Sequence, residues 1–571
     1  MADSMYPNEG AEAFIESLST HGVDQIFLNP GIDIVPLQGA IAKYRALGRK
    51  SPRVILCPHE SVAVAAAHGA AMVSGKPQVV ALFQDVGTLQ AGGAIPNLQY
   101  GRMPVILCAG RNPTPNRVNW LQDPCDQRRI ARDYVKWDHE VGMDEDISSV
   151  LEEAFRIALA EPAGPVYLSI PRGALTGKVG QRVVSAPARC HRTVSWTIER
   201  GALAQAADIL IAAENPLILT AYAGRHPEVV SPFVNLVETL GVRVITTDLR
   251  MNFPSTHPLC PGIDAIAGDS YDHYIAEADV LLLIDYDFPG PIGKLVAPAR
   301  DARIIHMDME PLKNGKPLWG REPDILIEGN SRSALPALNE IIQEKVTGKL
   351  DSRFRDRFSR LAKEHMALKE NWRILARSQR HQRPISSEWL CHCINEALDE
   401  DALLVHMIPS NADALSHQIS RSRPGTLYCW GDSAGSMGWA LGAALGAKLA
   451  ARERLVVSLI GDGGFIYGCP VATLWSARAY NAPFLSIVFN NQSYHCIRQL
   501  VQMEFGEASV SGEMGFEVGT EIKDPPDFAA IAKACDAYGQ RVEDPDDLPR
   551  YFNTAVGEVH RGKVAVLDVM V

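Results

Sequence analysis

The chain has 571 residues, 46% hydrophobic and 21% charged, with no low-complexity tract, the profile of a folded protein too long for one hydrophobic core. A formal charge of −12 and a pI near 5.8 exclude the basic face that nucleic acid or an anionic membrane requires. No apolar run reaches the roughly 20 residues that span a bilayer. The first ten residues are polar, and the eleven cysteines lie singly, mostly in apolar runs. Buried thiols and a cytoplasmic location are the expectation.

Short apolar runs at Arg53–Cys57, Val79–Phe83, Val105–Ala109 and Val166–Ile170 are each followed by a Gly or Pro loop and an Ala-rich helical pattern. This is the rhythm of a parallel sheet covered on both faces. The first unit is expected to span residues 1–177. A polar link from Lys178 to Ser195 leads to a second α/β unit, 196–346, with strands at Leu217–Thr220, Arg243–Thr246, Val280–Ile284 and Arg303–Met307. Asp351–Arg377 mixes charge signs along a helical pattern and reads as a surface connector. In the third unit, 384–571, the Cys391-His392-Cys393 spacing is too tight for a zinc knuckle and falls in a predicted helix. The expected fold class is α/β, with three doubly wound parallel-sheet domains, the first and third alike in size and rhythm.

Two places carry chemistry. Cys57-Pro58-His59-Glu60-Ser61 precedes the small-residue helix Val62–Gly75; by itself a glutamate at a helix start is a partner of the helix dipole. Further on, Leu455–Ile460 runs into Gly461-Asp462-Gly463-Gly464, and Phe484–Phe489 ends in Asn490-Asn491. Ligands sit at the carboxyl ends of strands in such sheets, where backbone amides and a helix start receive phosphate. Asp462 and Asn491 add the hard oxygens that suit magnesium on a diphosphate. A Gly-Asp-Gly alone is weak evidence, since many turns contain it; two strand ends meeting in this way are a strong signal.

With these motifs the sequence resembles the thiamine diphosphate-dependent decarboxylase and acetolactate synthase superfamily over nearly its whole length. The resemblance implies thiamine diphosphate as cofactor, with Mg2+ held by Asp462, Asn491 and the carbonyl of Ser493. It makes Glu60 the carboxyl group that exchanges a proton with the cofactor's pyrimidine. Gly435-Ser436-Met437-Gly438 matches the segment in which a glycine carbonyl, here Gly435, binds the aminopyrimidine and a bulky residue, here Met437, bends the cofactor. Gly461, Gly463, Gly464, Ser410 and Asn411 are assigned to cofactor binding as well. Relatives build each site from two subunits, which implies a homodimer or homotetramer.

On the substrate side the sequence departs from its simpler relatives. In the loop Phe27–Asp33, Ile32 stands where benzoylformate decarboxylase has a serine and pyruvate decarboxylase an aspartate. Phe83 replaces a catalytic histidine, and Ile497 replaces an acidic residue. Leu121–Gln127 with Lys136-Trp137 resembles benzaldehyde lyase, which makes Gln122 and then Asp33 candidates for binding a substrate oxygen; a surface or capping role is the plain alternative for each. His59 reads as a structural histidine fixed by hydrogen bonds. FAD is possible in the middle unit, where Thr220–Arg225 and Asp308 stand at family-like places, but it is not predicted. The resulting reading is an enzyme that makes or breaks a carbon-carbon bond next to a carbonyl. Its substrate is a 2-oxo acid, aldehyde or acyloin, and 2-oxo acid decarboxylation with carboligation is placed first. Acyloin cleavage, simple decarboxylation and a catalytically silent homologue are the alternatives.

Overall fold

Three six-stranded sheets, all parallel, are strung along the chain in a computed structural model that describes residues 7–112, 126–179, 198–247, 250–264, 271–287, 301–312, 322–429, 435–506, 510 and 518–571. The first contains Gln25–Leu28 (β1), Arg53–Leu56 (β2), Gln78–Leu82 (β3), Val105–Arg111 (β4), Trp137–Glu140 (β5) and Val166–Pro171 (β6). The second contains Pro216–Thr220 (β7), Arg243–Thr247 (β8), Ile263–Asp264 (β9), Val280–Ile284 (β10), Arg303–Asp308 (β11) and Ile325–Glu328 (β12). The third contains Leu403–Met407 (β13), Leu427–Cys429 (β14), Val456–Gly461 (β15), Leu485–Asn490 (β16), Tyr538–Val542 (β17) and Ala565–Met570 (β18). The strands read from the sequence recur with ends shifted by a residue or two. The α/β class with three parallel-sheet domains is thereby established.

Strand order runs β2-β1-β3-β4-β6-β5 in the first sheet and β14-β13-β15-β16-β18-β17 in the third, the same order position by position. The middle sheet, β12-β11-β10-β7-β8-β9, has the order of dinucleotide-binding folds, reversing direction between β7 and β10. At that reversal the Tyr222 ring lies under the Arg102 guanidinium, 3.8 Å from its centre. The Ala221 and Tyr222 amides donate to the Asp285 carbonyl at 3.2 and 3.0 Å.

The first and third sheets meet through two small-residue helices, Glu60–Ser74 and Trp439–Ala450. A Cβ on Gly69 would fall 2.0 Å from the Ala443 carbonyl oxygen, and one on Gly446 would fall 1.8 Å from that of Ala66. Backbone thus packs on backbone, which explains the run of alanine and glycine in both helices, and the buried cluster is continuous from Phe27 to Val566. The charged stretch is a single 30-residue helix, Lys349–Ser378. It is more than a surface connector, because it buries Phe354, Leu361 and Trp372. Cys391 and Cys393 are free and buried, and no cluster of three metal-ligating side chains occurs among the described residues. No helix among them is long and apolar enough to cross a membrane.

Candidate active site

Glu60 is the first residue of its helix. His59 caps that helix: its Nδ1 accepts from the Ser61 amide at 3.2 Å and is 2.8 Å from the Ser61 hydroxyl. His59 is thus held in place by hydrogen bonds as the cap of this helix. The cap faces the carboxyl edge of the first sheet, since Glu60 follows β2 by four residues. Glu60 is only 6% exposed, and Asn29, in the loop after neighbouring β1, donates to its Oε1 at 3.1 Å. A Cβ on Gly87 would stand 3.0 Å from the same oxygen.

The second half lies at the carboxyl edge of the third sheet, where β15 and β16 are neighbours. Asp462 Oδ1 accepts from the Gly463 amide at 2.7 Å, and Oδ2 accepts from the Ser493 amide at 3.2 Å. The same Ser493 amide donates to Asn491 Oδ1 at 3.0 Å. Gln492 bridges the two in the left-handed region, at φ 56°. Asn490 anchors the strand end by donating to the buried Asp568 at 2.8 Å. Burial raises the Asp462 carboxyl above its ordinary range, and four backbone hydrogen bonds around it pull the other way. Asp568, whose pKa burial also raises, feels Asp462 as a like charge.

A buried carboxylate with no lysine or arginine partner among the described residues is electrostatically incomplete. A hard divalent cation fits this donor set of carboxylate, amide and carbonyl oxygens, with the remaining positions left to phosphate and water. Gly461 and Gly435 have no described atom within 4 Å of where a side chain would begin, and Gly435 adopts φ +67°. Both offer bare backbone to a ligand. Gly463 and Gly464 instead pack closely, against the Tyr494 ring and the Met407 methyl. Ser410 and Asn411 form a short turn of helix after β13, next to β15. The residues present thus fit a diphosphate cofactor and its cation.

Met437 is half-buried and lines a cavity of about 380 Å3 between the first and third sheets, with His59, Ser61, Asn97, Tyr467 and Cys469. Neither Glu60, Asp462 nor Asn491 lines it. Of the substrate-side residues, Ile32 is 61% exposed, whereas its neighbour Asp33 is 2% exposed. Asp33 turns under the loop: Gln84 donates its amide to Oδ2 at 3.4 Å, and the Gly110 backbone leaves room for the carboxyl. Burial raises the Asp33 pKa. Phe83 precedes the helix Gln84–Ala91, and Ile497 is 49% exposed on the helix His495–Phe505. Gln122 lies outside the described residues. Asn29 and Gly87 escaped the sequence reading, although Asn29 stands in the loop it had singled out.

Models of thiamine pyrophosphate enzymes match this chain in three places: the N-terminal TPP binding domain over residues 8–130, the central domain over 203–338 and the C-terminal TPP binding domain over 410–569. A probable acetolactate synthase large subunit of Methanocaldococcus jannaschii is 25% identical over 564 residues, covering 96% of this chain and 90% of that protein. A benzoylformate decarboxylase of Pseudomonas aeruginosa is 27% identical over 540 residues, covering 91% of each. Among solved structures, the thiamine diphosphate-dependent 4-hydroxybenzoylformate decarboxylase of Rhodococcus jostii RHA1 superposes with a TM-score of 0.80 at 22% identity, over 98% of this chain and 99% of that one. With three domain matches in family order, a shared fold and relatives spanning nearly its full length, the chain belongs to the thiamine diphosphate-dependent enzymes related to acetolactate synthases and benzoylformate decarboxylases.

Proposed function

We propose that this protein is a thiamine diphosphate- and Mg2+-dependent carboligase that decarboxylates a 2-oxo acid and passes the acyl unit to a second carbonyl. Asp462, Asn491 and the Ser493 carbonyl hold the cation, Gly435 and Gly461 receive the cofactor on bare backbone, and Met437 supports its bend. When bound, the cofactor supplies a carbon nucleophile that also stabilises the charge left by departing CO2. Glu60 moves a proton to and from the pyrimidine edge from a nearly dry position. The observation that supports carboligation is that two apolar side chains, Ile32 and Ile497, are 61% and 49% exposed at positions where the resemblance puts polar groups in simple decarboxylases. A site without those proton donors favours transfer to a carbonyl over release of an aldehyde.

The site is read as shared between two copies. Asn29 and Gly87, which hold Glu60, belong to the first domain; Gly463 and Ser493, which hold Asp462, belong to the third. The cavity between those domains within one chain contains neither acid. Large apolar side chains at Leu89, Tyr467, Val471 and Trp475 are exposed nearby, which suits a self-interface. Plain decarboxylation is the second reading, favoured by the 27% identity to a benzoylformate decarboxylase. The two separate on products: holoenzyme given aliphatic and aromatic 2-oxo acids with excess acceptor aldehyde should yield mainly the ligated 2-hydroxy ketone on chromatography. Free aldehyde as the dominant product across the panel would replace the first reading by the second.

A further inference from the structure

A buried carboxyl group that exchanges protons must be held still, because a displacement of about 1 Å commonly costs two orders of magnitude in rate. Among the described residues, Glu60 makes one side-chain hydrogen bond, from Asn29 Nδ2 to Oε1 at 3.1 Å. Gly87 backs the same oxygen, since a Cβ there would lie 3.0 Å from Oε1 and 3.2 Å from the Phe83 Cβ. Two segments therefore converge on Oε1, the loop after β1 through Asn29 and the helix Gln84–Ala91 through Gly87. An amide N–H on a carboxylate oxygen is a charge-assisted bond with a defined direction.

Resting on the reading of Glu60 as the proton-exchanging acid, we propose that Asn29 is its positioning residue. Its amide and the bare backbone of Gly87 fix Oε1 inward, so that Oε2 is the oxygen presented to the reaction. Asn29 itself moves no proton. The side chain is short and half-buried at the end of a strand, so its own position is set by the sheet.

The test is a series at one position in the holoenzyme: Asn29→Leu, Asn29→Asp and Asn29→His. Three quantities are read: exchange of the cofactor's thiazolium proton with deuterated solvent, cofactor affinity by calorimetry, and melting temperature without cofactor. Asn29→Leu removes the donor and should slow exchange by about 10- to 100-fold with nearly unchanged affinity and melting temperature. The isosteric Asn29→Asp places a second carboxylate against the first and should slow exchange further, and Asn29→His, which keeps a donor, should recover much of the loss. A residue that only shapes the loop gives the opposite order, with Asp tolerated better than Leu; that result, or wild-type exchange in both, overturns the proposal. Should Asn29→Leu fail to fold, the Asp and His variants still decide the order. Glu60→Gln runs alongside. Fast exchange in that variant removes the reading of Glu60 itself, whereas slow exchange there with wild-type rates at position 29 removes only the positioning role.

Discussion

Asp462 and Asn491 direct their side-chain oxygens at one and the same backbone N–H, that of Ser493, at 3.2 and 3.0 Å. Both oxygens sit at adjoining strand ends whose surroundings add a second buried carboxylate, Asp568, so acceptor oxygens are concentrated there without a side-chain cation paired to Asp462 among the described residues. The pair is thereby predisposed to a cation. Replacing Asp462 by Ala should weaken Mg2+-dependent binding of thiamine diphosphate by about 100-fold or more, beyond the 10- to 100-fold typical of residues that only support metal ligands. Calorimetry with and without Mg2+ measures it, and an unchanged affinity would remove the cation assignment.

Glu60→Gln keeps the Asn29 contact and the helix start, because the amide is nearly isosteric and can still turn an oxygen toward Asn29. Fold, oligomeric state and most cofactor binding should persist while turnover falls by about 100- to 10,000-fold, the usual range for a lost general acid or base. Steady-state kinetics beside a denaturation curve check this. A loss of roughly threefold or less would return Glu60 to a helix-dipole role.

His68 makes the chain acid-sensitive. It is buried on the Glu60–Ser74 helix, edge-on to Trp439 at 5.1 Å. Burial first, and the charge of Arg250 second, depress its pKa to about 3. A histidine depressed in the folded state contributes stability above its unfolded value, near 6.5, and that contribution is lost as pH falls toward 3. At pH 5 the loss is about 2 kcal/mol. Urea unfolding at pH 7 and pH 5 should show this decrement in the wild type and a smaller one in His68→Phe. An equal decrement in both would assign the acid sensitivity elsewhere.

The contact between the two cofactor-type sheets should be intolerant of side chains. Gly446→Val places a branched group where even a Cβ would lie 1.8 Å from the Ala66 carbonyl oxygen. A cost of at least about 3 kcal/mol is expected, at the upper end for overpacked cores. Chemical denaturation measures it, and a cost below about 1 kcal/mol would show that the helices can separate freely.

Much of this architecture is legible because parallel strands buried on both faces leave uninterrupted apolar runs, and because the candidate cation ligands Asp462 and Asn491 stand where those runs stop. The helix after Glu60 is legible for a related reason: only small residues survive where two backbones touch. Asp33 shows where legibility ends. Its neighbour Ile32 faces outward while Asp33 turns inward, and what decides this is the space over Gly110 and the left-handed backbone of Gln84, at φ 46°. Gly110 lies in β4 and Gln84 opens the helix after β3, both far along the chain from Asp33. Asn29 was hidden likewise, since its partner Glu60 lies 31 residues away and meets it only through the pairing of β1 with β2.

The backbone contact between the helices Glu60–Ser74 and Trp439–Ala450 leaves no side-chain layer that slides or repacks. The first and third sheets are thus joined through glycine and alanine, which set how closely the two helices approach. The helix His495–Phe505 contrasts with them, since none of its residues is buried. Changes in that helix leave the glycine-alanine contact between the first and third sheets of one chain undisturbed.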